Sequence, residues 1–551
     1  MARRIRWQII IAAVSIGLIA SLLGRLALTT SSVANPLAGG TYVEALVGVP
    51  QVPIPLLNDP VADPHGRTLS ELLFAPLVRV GVDGLIEPGL ATYTIDPSGE
   101  IYTFQVRQNA MWHDGTPITA DDVIFTLRTL QNLEQPGEPG VAQVWQDVLV
   151  DRIDARTVRT TLTRPLAPFL SFARIPILPV HLLGTTPPAE WPNTPFASQL
   201  IGSGPYRLTE LREDRAILTA NSSYFDGPPY ISTVELRFFS APEAAIAALN
   251  RGDVSAFGAQ SSVALSNLPR TLQAISPPLD GYTTLSFNLS RPLLDELPLR
   301  RALAHGLNKD ALIETALSGL GTRLDTPILP GWWAADPTAQ WYAADPERAR
   351  AIISELGFEE GIGGVRQREG QPLAFTLIVD GEPRRVAAAE AIATQWRALG
   401  VGITIEQLNA NDLRTRLETR DFDLALHSWV RLGPDPDPYA LWHSSQAEQG
   451  LNYAGLRDPE LDLVLETART QTDIAERAAE YAAFQQRWIE QVPSITLYQP
   501  LFIFAFDAEL GGIQTETGVG NTALLFGTED RYRTISRWFA DSYREIQGNL
   551  Q

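Results

Sequence analysis

The sequence predicts a mixed α/β protein built from more than one lobe. Its 551 residues exceed what one hydrophobic core serves, and 45% hydrophobic content with 12 Trp can fill two or three. Stretches of period-two alternation are interleaved with stretches of helical periodicity along the chain. One segment joins the two: a stripe through Val386, Ala389, Ile392, Ala393, Trp396 and Leu399, a stop at Gly400, then strand-like residues 401–405. That succession is the unit from which α/β lobes are built.

In chain order, the N-terminus comes first. Arg3, Arg4 and Arg6 precede an uncharged apolar stretch over residues 9–24, then Arg25 and the small-residue run 29–34. The apolar stretch is shorter than the about 20 residues of a membrane span and suits a signal-peptide core, with Ser32-Val33-Ala34 as the cleavage site. The alternative is an uncleaved anchor, in which residues 26–28 extend the span past Arg25. Residues 1–34 are expected to be one or the other, and the basic flank directs the remainder out of the cytoplasm.

Tyr102, Phe104 and Val106 alternate on one face of an expected strand. The turn Trp112-His113-Asp114-Gly115 follows, then Thr119-Ala120-Asp121-Asp122, a capping box with Asp in place of Glu, opening a helix through Val123, Leu127 and Leu130. Ser240-Ala241-Pro242-Glu243 reads as a second capping box, for a helix ended by Gly252. Asp345-Pro346 and Asp458-Pro459 each supply an N-cap and a proline at the first helical position. In residues 421–429, Phe422, Leu424 and Leu426 are expected on one strand face, with Asp423, Ala425, His427 and Trp429 on the other. Trp429, at the strand end before an irregular loop, suits either a cleft wall or a core position.

Composition narrows the function. A net charge of −20 repels nucleic acid and anionic lipid, so nucleic acid is not an expected partner. The absence of Cys removes disulfides, thiolate nucleophiles and Cys-based metal sites. The six His form no metal-ligand or catalytic spacing. His113-Asp114 reads as a turn, and Gly202-Ser203-Gly204-Pro205 lacks the Lys-Ser/Thr of a phosphate loop. No catalytic residue, metal site or cofactor is expected, and the chain does not read as an enzyme.

Several segments together resemble the ABC-transporter extracytoplasmic solute-binding proteins of family 5, the dipeptide, oligopeptide and nickel-binding class. The strongest runs from Tyr102 to Arg107 through Trp112-His113-Asp114-Gly115 to Asp122, Val123 and Phe125. Ile201-Gly202-Ser203-Gly204-Pro205-Tyr206, Asn221 with Tyr224, Phe287-Asn288, residues 299–304, Trp429 with Asp435-Pro436-Asp437-Pro438, and Asn452-Tyr453 follow in the family's order.

The resemblance implies a two-lobed, Venus-flytrap fold of the periplasmic-binding-protein type, with an extra small domain inserted in the first lobe. Residues 41–80, 200–277 and 500–551 would form the first lobe, 81–199 the small domain and 278–499 the second lobe, with hinges near Pro278 and Pro500. It also implies a monomeric receptor, outside the cytoplasm, that traps a small solute such as an oligopeptide and delivers it to ABC permease subunits. A sensor or chaperone on the same fold is the main alternative, and an extracytoplasmic hydrolase a weaker one.

Peptide-binding members carry an Asp three residues after the Trp, paired with the ligand's amino group; this chain has Leu432 there. Either Asp435 substitutes through a shifted loop, or the ligand has no free amino terminus, and Arg431 could equally receive a carboxylate. Trp145, Tyr282 and Asn452 complete the candidate ligand-binding set by approximate position.

Overall fold

The computed structural model describes residues 14–22, 32–59, 62–81, 84–134, 136–259, 269, 271–513 and 524–546. Arg3, Arg4, Arg6 and much of the expected leader or anchor lie outside them. Residues 14–22 are helical, and among the described residues no helix is long and apolar enough to cross a membrane. The tripeptide Ser32-Val33-Ala34 lies in the strand Ser32–Leu37, which pairs antiparallel with Asp541–Ile546.

Three sheets organise the body. A seven-stranded sheet runs in the order Leu272–Ile275, Ile503–Asp507, Ala256–Ala259, Thr41–Val47, Thr233–Phe239, Arg215–Ala220 and Tyr206–Leu211. A six-stranded sheet runs Gly321–Arg323, Ser494–Pro500, Gly281–Phe287, Leu424–Val430, Ala374–Asp380 and Gly402–Leu408. Inserted in sequence between Thr41–Val47 and Tyr206–Leu211 of the first sheet is a four-stranded antiparallel sheet of Ala91–Ile95, Ile101–Val106, Thr157–Thr161 and Leu149–Arg152. The two large sheets carry separate hydrophobic cores, as two lobes require; the four-stranded sheet shares the core of the first. The chain passes between lobes on two extended segments that bond to one another: Leu279 N donates to Pro500 O at 2.9 Å, and Phe502 N to Pro277 O at 2.9 Å.

Local signals explain many helix starts. Thr119 caps Ala120–Asn132 with both halves of the box formed, and Asp345 and Asp458 cap the helices that begin at Pro346 and Pro459. The second expected box is not made. The helix Pro242–Arg251 has Ala241 at its N-cap and no side-chain cap bond, because Pro242 takes the first helical position. The residue pattern before Trp429 also departs from expectation. Phe422 precedes the strand and packs with Ala425, Leu413 and Leu417, while Leu424 and Leu426 join the main second-lobe core.

The two glycine-containing turns read from the sequence clamp each other. Gly202 N donates to His113 Nδ1 at 3.1 Å, and His113 Nε2 faces Gly204 O at 3.1 Å, which sets the proton on Nε2. Ser203 Oγ accepts from Ala75 N at 3.1 Å. A Cβ at Gly202 or Gly204 would collide with the backbone of Leu72 and Leu73, so both glycines serve close packing. Burial holds the His113 ring neutral, with its pKa lowered to about 4.

Candidate functional site

The cleft is closed by three parts of the molecule. The helix Pro64–Leu73 supplies Arg67 from the first lobe, residues 138 and 174 come from the small-sheet region, and the loop after Leu424–Val430 supplies Arg431 from the second lobe. The C-terminal segment adds Glu529 and Asp530. Arg431 Nη1 meets Glu529 Oε1 at 2.7 Å; Arg67 Nε stands 3.6 Å from the same oxygen, and Arg67 Nη1 is 3.0 Å from Glu138 Oε1. This chain of charges ties all three parts together. Gly527 makes room for it, since a Cβ there would overlap both Arg431 Nη1 and the Glu529 carboxylate.

Apolar packing closes the same junction. Val80, Leu524 and Phe526 from the first-lobe side cluster with Tyr282, Leu324 and Leu329, against partly buried Trp332, Trp429 and Leu432. Leu432 therefore belongs to the contact between lobes, where a carboxylate would be costly without a partner.

The other expected site residues fall into distinct places. Trp429 is partly buried and stacked on Tyr453, ring centroids 5.2 Å apart, with His427 edge-on at 5.1 Å. Arg431 adopts φ 56°, and its amide donates to Asp280 O at 2.8 Å. Asp435 is held by Arg477, which approaches both of its oxygens at 2.8 Å. Asn452 is fully buried and ties its own loop, donating to Leu456 O at 2.9 Å and accepting from Gly455 N at 3.1 Å. Tyr282 is fully buried one strand away from Trp429, directly opposite it in register, and burial raises its pKa far above the phenol range. Trp145 packs on Phe169 inside the small-sheet region, and its Nε1 donates to Phe172 O at 2.7 Å. Trp429, Arg431, Leu432 and Tyr282 thus lie together, while Asp435, Asn452 and Trp145 are each occupied within their own part.

Sequence reasoning missed Asp280, Arg67, Glu138, Arg174 and Glu529, which sit in no motif. Asp280 is 3% exposed at the lobe crossing. Its Oδ2 accepts from Gly433 N at 2.6 Å, while Oδ1 has no hydrogen-bond partner. Burial raises its pKa to about 7 against the pull of that amide, Arg431 and Arg174. Glu71, on the helix with Arg67, is likewise raised to about 7 by burial.

Small cavities lined by described residues lie along these junctions. One of about 60 Å³ is bounded by Leu56, Arg67, Glu138, Phe172, Arg174 and Arg431, where all three parts meet. A second of about 60 Å³ lies on the other side of Arg174, against Glu71 and Asp530. A third, about 20 Å³, is lined by Asp280, Trp332 and Leu432. Another, about 290 Å³, separates Asp147, Arg164 and Phe172 from Tyr439 and Arg469 of the second lobe. Among the described residues no group of three His, Asp or Glu could hold a metal ion.

Comparison with known proteins gives a consistent picture. Residues 86–450 match the family described as bacterial extracellular solute-binding proteins, family 5. The chain is 26% identical over 493 residues to the oligopeptide-binding protein AppA of Bacillus subtilis, covering 87% of this chain and 90% of that one. It is 26% identical over 456 residues to the dipeptide-binding protein of Escherichia coli, covering 77% and 83%. In fold, it resembles Bacillus subtilis AppA in complex with a nonapeptide, with TM-score 0.71 and 24% identity over 92% of this chain and 99% of that one. The substrate-binding protein CtaP of Listeria monocytogenes matches with TM-score 0.77 and 24% identity, covering 92% and 100%.

Proposed function

Because the chain belongs to the bacterial extracellular solute-binding proteins of family 5, we propose that it captures a peptide or peptide-like solute between its lobes for an ABC importer. The observation that carries this reading is the clasp of Arg431, Glu529, Arg67 and Glu138, which places ionisable groups from three parts of the molecule around one set of cavities. A solute that touches all three parts favours the closed arrangement by its differential affinity for it, which is how binding becomes a signal to a membrane permease.

Within this reading, the strands of the seven-stranded sheet support residues 41–80, 200–277 and 500–551 as the first lobe. The four-stranded sheet supports 81–199 as the small domain, and the six-stranded sheet 278–499 as the second lobe. Trp429, Leu432 and Arg431 would wall the cleft, with Tyr282 behind them; Asn452, Asp435 and Trp145 would hold their own segments in shape. Either a cleaved leader or a retained anchor over residues 1–34 would keep the body outside the cytoplasm. The receptor is assigned one inter-lobe site, a monomeric state and no catalytic step.

A thermal-shift screen of the purified protein against pooled di- to pentapeptides, oligosaccharides and nickel chelates tests the reading. A saturable rise with peptide pools, about 2.7 kcal/mol at 100 times the dissociation constant, is expected. Stabilisation by sugars or chelates alone would replace the ligand class, and silence in every pool would remove the receptor reading.

A further inference from the structure

Four arginines converge on the junction of the three parts, and three of them are committed. Arg431 is paired with Glu529, Arg67 with Glu138, and Arg533 with Asp530 at 3.2 Å and with Leu524 O at 3.1 Å. Arg174 is not. Among the described residues its guanidinium makes no hydrogen bond. Its nearest acid oxygen is Asp530 Oδ1 at 3.9 Å, and it lies over the Phe526 ring at 5.0 Å. Asp530 is itself engaged by Arg533 and by the amide of Phe526, at 2.7 Å, so it does not complete the Arg174 fork.

The same side chain lines both cavities of about 60 Å³. The one facing the second lobe is bounded by Arg67, Arg174 and Arg431; among the described residues Glu138 is the acid that lines it, with Glu529 beside Arg431. A planar guanidinium with five donors and one loose ion pair costs stability wherever water is displaced, unless an acceptor arrives. The acceptor that matches its geometry is a carboxylate held through two parallel bonds. Such a group in this cavity would also pair with the one guanidinium of its walls that Glu138 and Glu529 leave without a close acid.

We propose that Arg174 is a specificity-determining residue of the cleft, receiving the terminal carboxylate of the bound solute in the cavity between Arg67 and Arg431. This rests on the peptide-capture reading above and adds what that reading leaves open, the end of the ligand that is recognised. It also couples recognition to closure, because Arg431 reaches the cavity only when the second lobe is in place.

The test uses two pools of tri- to pentapeptides lacking Asp and Glu, one with free carboxyl termini and one amidated, in thermal-shift titrations of wild type, Arg174→Gln and Arg174→Lys. Omitting acidic side chains makes the chain terminus the single source of carboxylate. We expect the wild-type protein to reach half-saturation with the free pool at about tenfold lower concentration than with the amidated pool. Arg174→Gln should erase that difference by weakening the free pool more than the amidated pool, and Arg174→Lys should restore part of it. Equal binding of both pools by wild type, or undiminished discrimination by Arg174→Gln, overturns the carboxylate assignment and leaves the receptor reading standing. Failure of both pools to bind overturns the peptide reading and this assignment with it.

Discussion

Arg431 of the second lobe and Glu529 of the C-terminal segment meet at 2.7 Å, and the pair is deeply shielded, with Glu529 only 3% exposed at its side chain. An ion pair this buried gains its energy from geometry, and loses it sharply when one partner is removed. Glu529→Gln should therefore lower stability by about 3 kcal/mol in denaturant melts, while a double replacement of both partners by apolar residues should cost less. Gly527→Ala, which inserts a methyl between the two groups, should resemble Glu529→Gln. A negligible effect of all three variants would mean that the clasp does not hold the lobes.

Asp280 gives the junction a pH dependence of defined sign. Its folded pKa, about 7, lies above that of an unfolded Asp. The folded state therefore binds the extra proton, and the stability this contributes is present below about pH 4 and lost as pH rises towards 7. Arg431, Arg174, Asp530 and the amide of Gly433 face this carboxyl. Asp280→Asn keeps an acceptor for Gly433 and removes the charge, so its melting temperature should gain on wild type between pH 4 and 7. Parallel curves for the two proteins would contradict this.

His113 acts in the opposite direction. Its folded pKa is lowered to about 4, so its contribution is present above the unfolded value near 6.5 and fades as pH falls towards 4. His427, buried beside Ser286 Oγ at 2.9 Å and lowered to about 3, adds to the same trend. His113→Ala removes both ring bonds of the clamp and should cost about 2–4 kcal/mol at pH 7.5. It should also flatten the loss of stability between pH 6.5 and 4, measured by chemical denaturation.

Asp435 separates a structural from a recognition role. Both of its oxygens are taken by Arg477, so Asp435→Asn should destabilise the second lobe by about 3 kcal/mol. It should leave the ratio of binding between free-amino and acetylated peptides unchanged in titration calorimetry. A selective loss of free-amino peptides would return Asp435 to the ligand.

The parts of this architecture that depend on near neighbours were legible in the sequence. Thr119 with Asp122, Asp345 with Pro346, and Asp458 with Pro459 act within one helical turn, so spacing reveals them. Ser240 misled because Pro242, two residues on, moved the helix start. The closing of the cleft was not legible, because Arg67, Glu138, Arg431 and Glu529 come from four distant segments that only tertiary packing brings together. Arg174 and Asp280 are marked by what they lack, a completed set of hydrogen bonds, and such a lack has no sequence pattern. Trp429 and Leu432 were singled out by the family resemblance, since the alternation of residues 421–429 alone leaves Trp429 between a cleft wall and a core position; their packing against Val80, Leu524 and Phe526 is a tertiary contact no spacing reveals.

The most direct test of solute capture is energy transfer between dyes across the cleft, which the absence of native Cys makes clean to label. Asp151→Cys on the four-stranded sheet and Glu448→Cys on the second lobe are both exposed, with side chains 53% and 80% accessible. Adding the stabilising peptide pool should produce a single saturable rise in transfer efficiency with the same midpoint as the thermal shift. Peptides that bind without changing the transfer would contradict capture by closure.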